Sequence, residues 1–395
     1  MKPQKLLVIL SRFPFPLEKG DKLRAFHQIR ELSNEFEVHL CCVTDKRVSV
    51  EDKKALEGFC KSIDIIQLNR FGILWNLFLG VFSSKPFQYH YFYQKSVHRK
   101  LNKIIEEQKP KFIYCQLIRT ARYAIDYPLI PKTLDYMDAL SAGMKRRSES
   151  AGLPMNLIYR LESIRLAKME TYYFDQFDKK VIISERDRSE IGHPQKSEIG
   201  VIPNGIGEKF FNFKARKKDV DILFTGNMNY PPNVDAAIFL VKKALPLLQQ
   251  KGMQPKVLIS GIAPNNAVRQ LASEHVTIGG WVDDIRESYA RSKVFVAPMF
   301  MGSGLQNKLL EAMAMGVPCI TSTLVNESLK AKDGEQVLIA DDEVAYAEKI
   351  EYLLKNVHKA EHLAESGRAY VLNSFNWKHF TKNLVAFIRG ESKSH

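Results

Sequence analysis

The chain is short of the residues that build metal sites and covalent crosslinks. Its five cysteines, Cys41, Cys42, Cys60, Cys115 and Cys319, sit mostly in apolar strand-like runs, and none form a CxxC pair. That excludes a disulfide framework and a zinc module and points to reduced thiols in a cytoplasmic core. The ten histidines, His90, His98, His193 and His275 among them, lack metal-ligand spacing, so no metal is expected. No apolar run reaches the roughly 18 to 20 residues that cross a bilayer. The opening MKPQKLLVILSRFPFP lacks a small-residue cleavage site, and LLVIL reads as a first buried strand rather than a leader. Low-complexity tracts, zinc-finger spacings and RNA-binding aromatic motifs are also missing, which argues against nucleic acid as a partner.

What is present is an ordinary globular composition, 45% hydrophobic and 26% charged over 395 residues, enough for two domains with cores of their own. The formal charge of +14 implies acidic partners, either phosphorylated substrates or an anionic lipid surface.

Short β-branched runs alternate with helical periodicity. Residues 5–10, 37–44, 63–68, 111–116, 132–138 and 179–184 form one series of predicted strands. A second series covers 221–226, 255–261, 276–282, 293–299, 318–323 and 337–341. Between them lie stretches such as 233–250, where Val234, Ile238, Val241, Leu245 and Leu248 recur every three or four residues. Continuous apolar strands separated by helices predict parallel sheets covered on both faces. The fold class is therefore α/β, with two doubly wound Rossmann-like domains facing a cleft: 1–205, 206–375, and a helix over 376–395 that packs back on the first.

In such sheets ligands bind at the carboxyl ends of strands. In the second series those ends carry Gly226-Asn227, Gly261 and Gly279-Gly280, and each glycine could equally serve only a tight turn. The stretch GSGLQNKLLEAMAMGVPCI (302–320) adds a helix start with Lys308 in its first turn and Glu311 one turn on. Backbone N–H groups around Ser303, Gly304 and Leu305, with the helix dipole, favour phosphate. Glu311 calls for a ligand that also carries hydroxyl groups.

VIPNG (201–205), FTGNMNYPPNVDA (224–236), GGWVDD (279–284) and the 302–320 stretch resemble glycosyltransferases of family 4, which have the GT-B fold. Bacterial exopolysaccharide sugar transferases are the most similar group. SRFPFPLEKGDKLRAFHQIREL (11–32), LDYMDALS (134–141) and residues 159–188 extend the resemblance over nearly the whole chain. It implies a retaining, metal-independent transfer from a nucleotide-diphosphate sugar, bound by the second domain, to a glycan or lipid-linked acceptor on the first. No cofactor is implied.

Glu311 matches the second glutamate of the family's E-x7-E signature, which bonds the donor ribose. The first glutamate falls at Ser303, a departure that leaves sugar specificity open. The arginine and lysine that grip the diphosphate in many relatives are replaced by Asn227 and Pro232, making Lys308 the substitute cation. Trp281 and Val282 match the segment along the nucleobase, although Trp281 could equally be a core aromatic. Gly20, Asp21 and Arg24 match the loop and helix start near phosphate and acceptor. Asp138, after Asp135 at a strand end, is the acceptor-side carboxylate or a helix cap. The catalytic histidine of many relatives is absent; that region reads CQLIRTARYA, with Gln116 and Arg119. Asp219-Val220-Asp221 matches a DxD metal motif but precedes a strand, at the wrong end for chemistry.

FGILWNLFLGVF (71–82) is apolar over twelve residues, a length that suits a helix lying on a membrane, or one buried between domains. With the basic charge it predicts a cytoplasmic protein, peripheral on the inner face of the membrane. The alternatives are a noncatalytic sugar-nucleotide or polyanion-binding protein of the same fold, or another enzyme on it such as an epimerase.

Overall fold

A computed structural model describes residues 3–17, 19–214, 216–301 and 305–391. The chain divides into two compact units, residues 1–203 with 377–395, and residues 204–376.

The first unit is built on a seven-stranded parallel sheet in the order β3-β2-β1-β4-β5-β6-β7. Its strands are β1 (Gln4–Leu10), β2 (Phe36–Thr44), β3 (Ser62–Gln67), β4 (Phe112–Gln116), β5 (Lys132–Asp135), β6 (Lys179–Ile182) and β7 (Gly200–Val201). β1 shows why the sheet is buried on both faces. Leu7 and Ile9 pack into one apolar cluster, with Val97, Leu101 and Leu166. Leu6, Val8 and Leu10 point the other way, into a cluster shared with Ile29, Leu384 and Ile388. A strand with both faces inside must be apolar without alternation, which is what KLLVIL displays. The second cluster is closed by the helix Trp377–Arg389, so the end of the chain completes the first core.

The second unit carries β8 (Val220–Thr225), β9 (Val257–Ser260), β10 (Val276–Gly280), β11 (Ser292–Ala297), β12 (Cys319–Thr321) and β13 (Leu338–Ile339). They form a parallel sheet ordered β10-β9-β8-β11-β12-β13. The stretch read as one amphipathic helix over 233–250 is interrupted. Helix Pro231–Phe239 passes into a π-helical turn, Leu240–Ala244, before helix Leu245–Gln250. Pro246 explains the break: it has no N–H to donate and crowds the preceding turn, so the ladder loosens there.

In each sheet the strand order reverses once, between β1 and β4 and between β8 and β11. Chains diverge at these switch points and leave room for a ligand beyond the strands' carboxyl ends.

Candidate active site

At the switch point of the second unit, Gly226 follows β8 and the helix Asn307–Ala314 follows β11. Gly261, after β9, lies so close to Gly226 that a Cβ on it would stand 1.8 Å from the Gly226 carbonyl oxygen. A Cβ on Gly226 would come within 2.7 Å of the Asn233 amide and 3.0 Å of Lys308 Nζ. Both positions therefore require glycine for close approach, and they draw β8, β9 and Lys308 together.

Lys308 Nζ donates to Asn233 Oδ1, lies 3.9 Å from Met299 Sδ and sits 4.8 Å above the Phe224 ring. Asn233 is itself fixed by donating its amide N–H to the Asn227 carbonyl at 2.9 Å. These partners are neutral, and burial pushes the Lys308 ammonium down to about 7, with Glu311 pulling the other way. A cation held among neutral partners is poised for an incoming anion.

Glu311 lies one turn further along the same helix. Its carboxylate accepts a 2.9 Å hydrogen bond from Tyr289, whose hydroxyl also lies 2.9 Å from that of Thr225. Burial raises Glu311 to about 7, opposed chiefly by the Tyr289 bond and by the charges of Lys209 and Lys308. Neither Tyr289 nor Asn233 received a role from the sequence. Both act on residues far along the chain, and no local spacing marks them.

Leu305 is half-buried ahead of this helix, while Ser303 and Gly304 lie outside the described residues. Asn227 is exposed at the end of β8, and Pro232 lies in the first turn of the next helix. Val282 is half-buried, and Trp281 is 60% exposed with its indole N–H 3.3 Å from Asp283. Trp281 is thus not a core aromatic. Asp219 pairs with Arg291 and Asp221 with Lys293.

The first unit places Gly20 and Asp21 at the start of the helix Gly20–Leu32. A Cβ on Gly20 would meet nothing within 4 Å, so nothing within the protein crowds a side chain there. Asp21 pairs with Arg12 at 2.5 Å, and its carbonyl accepts from the Gln116 amide at 3.2 Å.

Arg24, matched in the sequence to the catalytic loop near phosphate and acceptor, is instead an interior residue. It is fully buried, with Nε 2.6 Å from Asp135 and Nη1 donating to the Ile202 carbonyl at 2.8 Å. Asp135 also accepts from Tyr114, from Gln28 and from the Met137 N–H. The network holds Met137 at φ 63°, and Asp138 donates its N–H back to the Tyr136 carbonyl at 2.9 Å. A non-glycine residue in the left-handed region is costly and persists where its surroundings dictate it. The tight turn leaves Asp138 solvent-accessible at the end of β5. Partial removal from water, then the nearby Asp187 charge, raises its carboxyl to about 6. Arg119 lies close enough to oppose that rise, and its own guanidinium donates to Gln88 at 2.6 Å.

Residues 219–356 match the family described as Glycosyl transferases group 1. Over 95% of its length the chain is 23% identical to 97% of an uncharacterised 44.6 kDa protein of the Klebsiella pneumoniae cps region. Over 46% of its length it is 28% identical to half of the phosphatidyl-myo-inositol mannosyltransferase of Mycobacterium leprae. Among solved structures, Anabaena HepE in complex with UDP-glucose superposes with a TM-score of 0.69 at 12% identity, covering 98% of this chain and 99% of that one. Sucrose-phosphate synthase of Thermosynechococcus elongatus gives 0.66 at 16% identity, covering 98% of each chain. At those identities the likeness is one of fold, and the fold is GT-B.

Proposed function

We propose that the chain is a retaining, metal-independent glycosyltransferase acting in cell-surface polysaccharide synthesis, a reading supported by the group 1 match over residues 219–356 and by the GT-B fold. The donor is a nucleotide-diphosphate sugar and the acceptor a glycan or lipid-linked glycan. The observation that carries this reading is the juxtaposition of Lys308 and Glu311 beside the apposed Gly226 and Gly261. Lys308 takes the diphosphate, Glu311 the ribose hydroxyls, and Trp281 with Val282 the base. The cps-region relative supports the polysaccharide context, and the UDP-glucose complex of HepE the donor class.

In the transfer, the acceptor oxygen bonds to the anomeric carbon as the bond from that carbon to the diphosphate oxygen breaks. The acceptor's proton passes to the departing diphosphate, so attack on the same face needs no histidine. Negative charge grows on the leaving group, where Lys308 and the backbone N–H groups oppose it. Asp138 orients the acceptor hydroxyl, held in place by the Asp135–Arg24 pair behind it.

Exposed apolar side chains support attachment to lipid as part of this reading. The helix Arg70–Val81 leaves Phe71, Leu74, Trp75 and Phe78 in solvent. A neighbouring helix, Met155–Gln176, exposes Leu157, Leu161 and Ile164 while burying its Glu162 and Glu170. Arg165 joins the two through the Gly80 carbonyl at 3.0 Å. Exposed apolar side chains with Glu162 buried among them suit an anionic bilayer. No helix among the described residues is long and apolar enough to cross a membrane.

The test is a thermal-shift screen of nucleotide sugars followed by product analysis. Ligand at 100 times its dissociation constant adds about 2.7 kcal/mol of stability. No shift with any nucleoside diphosphate sugar would refute the donor assignment.

A further inference from the structure

At the β3 edge of the first sheet lies a pocket of about 760 Å³ that plays no part in the site above. Its volume falls within the range of small-ligand sites. Arg47, Arg70 and Lys100 line it together with Asn69, Gln94 and Ser96, and no carboxylate does. Among the described residues none of the three cations has an ion-pair partner, and residues 65–105 contain no aspartate or glutamate at all.

The floor of the pocket adds donors of another kind. The helix Lys95–Gln108 begins there with no side-chain cap and no acidic residue in its first turn. Its N-cap residue, Gln94, uses its side chain instead on the Asn69 N–H at 3.1 Å and the Asn69 carbonyl at 2.8 Å. The N–H groups of the first turn, Ser96 and Val97 among them, are thus left without a side-chain acceptor on the pocket side. Three cations around an uncapped helix start make a site for an anion with several acceptor oxygens.

Position narrows the ligand further. Arg70 lines the pocket and is also the first residue of the exposed apolar helix, and Phe71 beside it is 84% exposed. A ligand here meets cations at one end and an apolar helix face of about 18 Å at the other. We propose that this pocket takes the phosphate group of an anionic membrane phospholipid whose chains lie along the apolar side of the Arg70–Val81 helix. The proposal rests on the reading that this helix lies on a bilayer, and it adds a defined headgroup site to that general attachment.

The experiment separates the two. Calorimetry on the full chain uses dihexanoyl phosphatidate below its micelle concentration, dihexanoyl phosphatidylcholine, and inorganic phosphate. Phosphatidate should bind at least tenfold more tightly than either of the others. The triple substitution Arg47→Ala, Arg70→Ala, Lys100→Ala should abolish that preference. Replacing the exposed Lys242, Lys243 and Lys256 of the other unit by alanine, an equal loss of charge, should leave it intact. All six side chains are exposed, and unchanged melting temperatures establish that the variants fold. Phosphatidate binding untouched by the pocket triple would overturn the proposal, as would inorganic phosphate binding as tightly as the lipid. Vesicles of phosphatidylglycerol and of phosphatidylcholine then test attachment itself. Trp75→Ala/Phe78→Ala should abolish vesicle binding and bring phosphatidate affinity down toward that of inorganic phosphate; phosphatidate binding unchanged in that variant would overturn the placing of the chains on this helix. If wild-type chain ignores both kinds of vesicle while phosphatidate still binds, the attachment reading fails and the phosphate site stands alone.

Discussion

The Tyr289 hydroxyl lies 2.9 Å from a carboxylate oxygen of Glu311 and 2.9 Å from the hydroxyl of Thr225, gripping Glu311 at the carboxyl end of β8. A carboxylate fixed on its protein side keeps its remaining lone pairs for the ligand. Tyr289→Phe removes that grip and leaves a buried hydroxyl and a carboxylate each one bond short. The melting temperature should fall in line with a cost of about 1 to 3 kcal/mol. Donor affinity, read by calorimetry, should fall several-fold while turnover at saturating donor changes less. Unaltered donor affinity would separate Glu311 from the ribose.

Lys308→Met tests the leaving-group assignment. Charge on the diphosphate grows as the glycosidic bond breaks, so the loss should be larger in kcat than in donor binding. Removing one comparable donor in other enzymes lowers kcat by about 10² to 10³. Steady-state kinetics beside binding titrations give the ratio, and turnover equal to that of the natural chain would sink the assignment.

The lowered proton affinity of Lys308 gives a pH signature. Its folded value of about 7 lies below the ordinary 10.5, so between those limits the unfolded chain holds a proton that the folded one lacks. This group therefore makes the ligand-free protein more stable as pH rises from 7 toward 10.5. Glu311 acts oppositely, costing stability as pH rises from 4.5 to about 7. A diphosphate that restores the Lys308 charge takes up a proton above pH 7. Donor affinity should then fall by up to about tenfold per pH unit, with binding heats that depend on the buffer. Lys308→Met should flatten the profile; a profile already flat in the natural chain from pH 7 to 9 would contradict it.

Arg24 and Asp138 should separate under mutation. Arg24→Met strands the buried Asp135 carboxylate, and breaking such a pair costs about 3 to 5 kcal/mol. The chain should lose stability heavily while its donor site, measured below the melting point, is unchanged. Asp138→Asn should keep the melting temperature and donor affinity yet lose transfer to acceptor. A tenfold weakening of donor binding in Asp138→Asn would move that residue to the donor side.

Much of this was legible in the sequence, for identifiable reasons. Twelve strands were legible, most of them because strands buried on both faces must be unbroken apolar runs. β7, Gly200–Val201, opens on a glycine and runs into Pro203, so it lacks the apolar run that marks the equally short β13. Lys308 and Glu311 were legible because both belong to one short motif on one helix. Tyr289 was not, since it reaches Glu311 from 22 positions away and sits in an unremarkable RESYA. Arg24 misled for the same reason. The motif places it beside phosphate and acceptor, and the carboxylate that draws the arginine inward is 111 residues off. Contacts made by tertiary packing leave no period in the chain. The pocket around Arg47, Arg70 and Lys100 is of that kind, drawn from three separate segments.

The return of the helix Trp377–Arg389 to the first unit sets an order of events during synthesis. Leu384, Val385 and Ile388 belong to the same buried cluster as Leu6, Val8 and Leu10, and Trp377 stacks on His27 at 5.0 Å. The sheet of the first unit therefore waits for this helix to emerge, with all of residues 204–376 made in between. Residues 204–376 are contiguous and can close their own core in the meantime. A nascent chain halted near residue 376 should thus hold a protease-resistant donor-side unit joined to a first unit that is still open on one face. Such an intermediate displays apolar sheet surface, and chaperones that hold nascent chains would meet the first unit rather than residues 204–376.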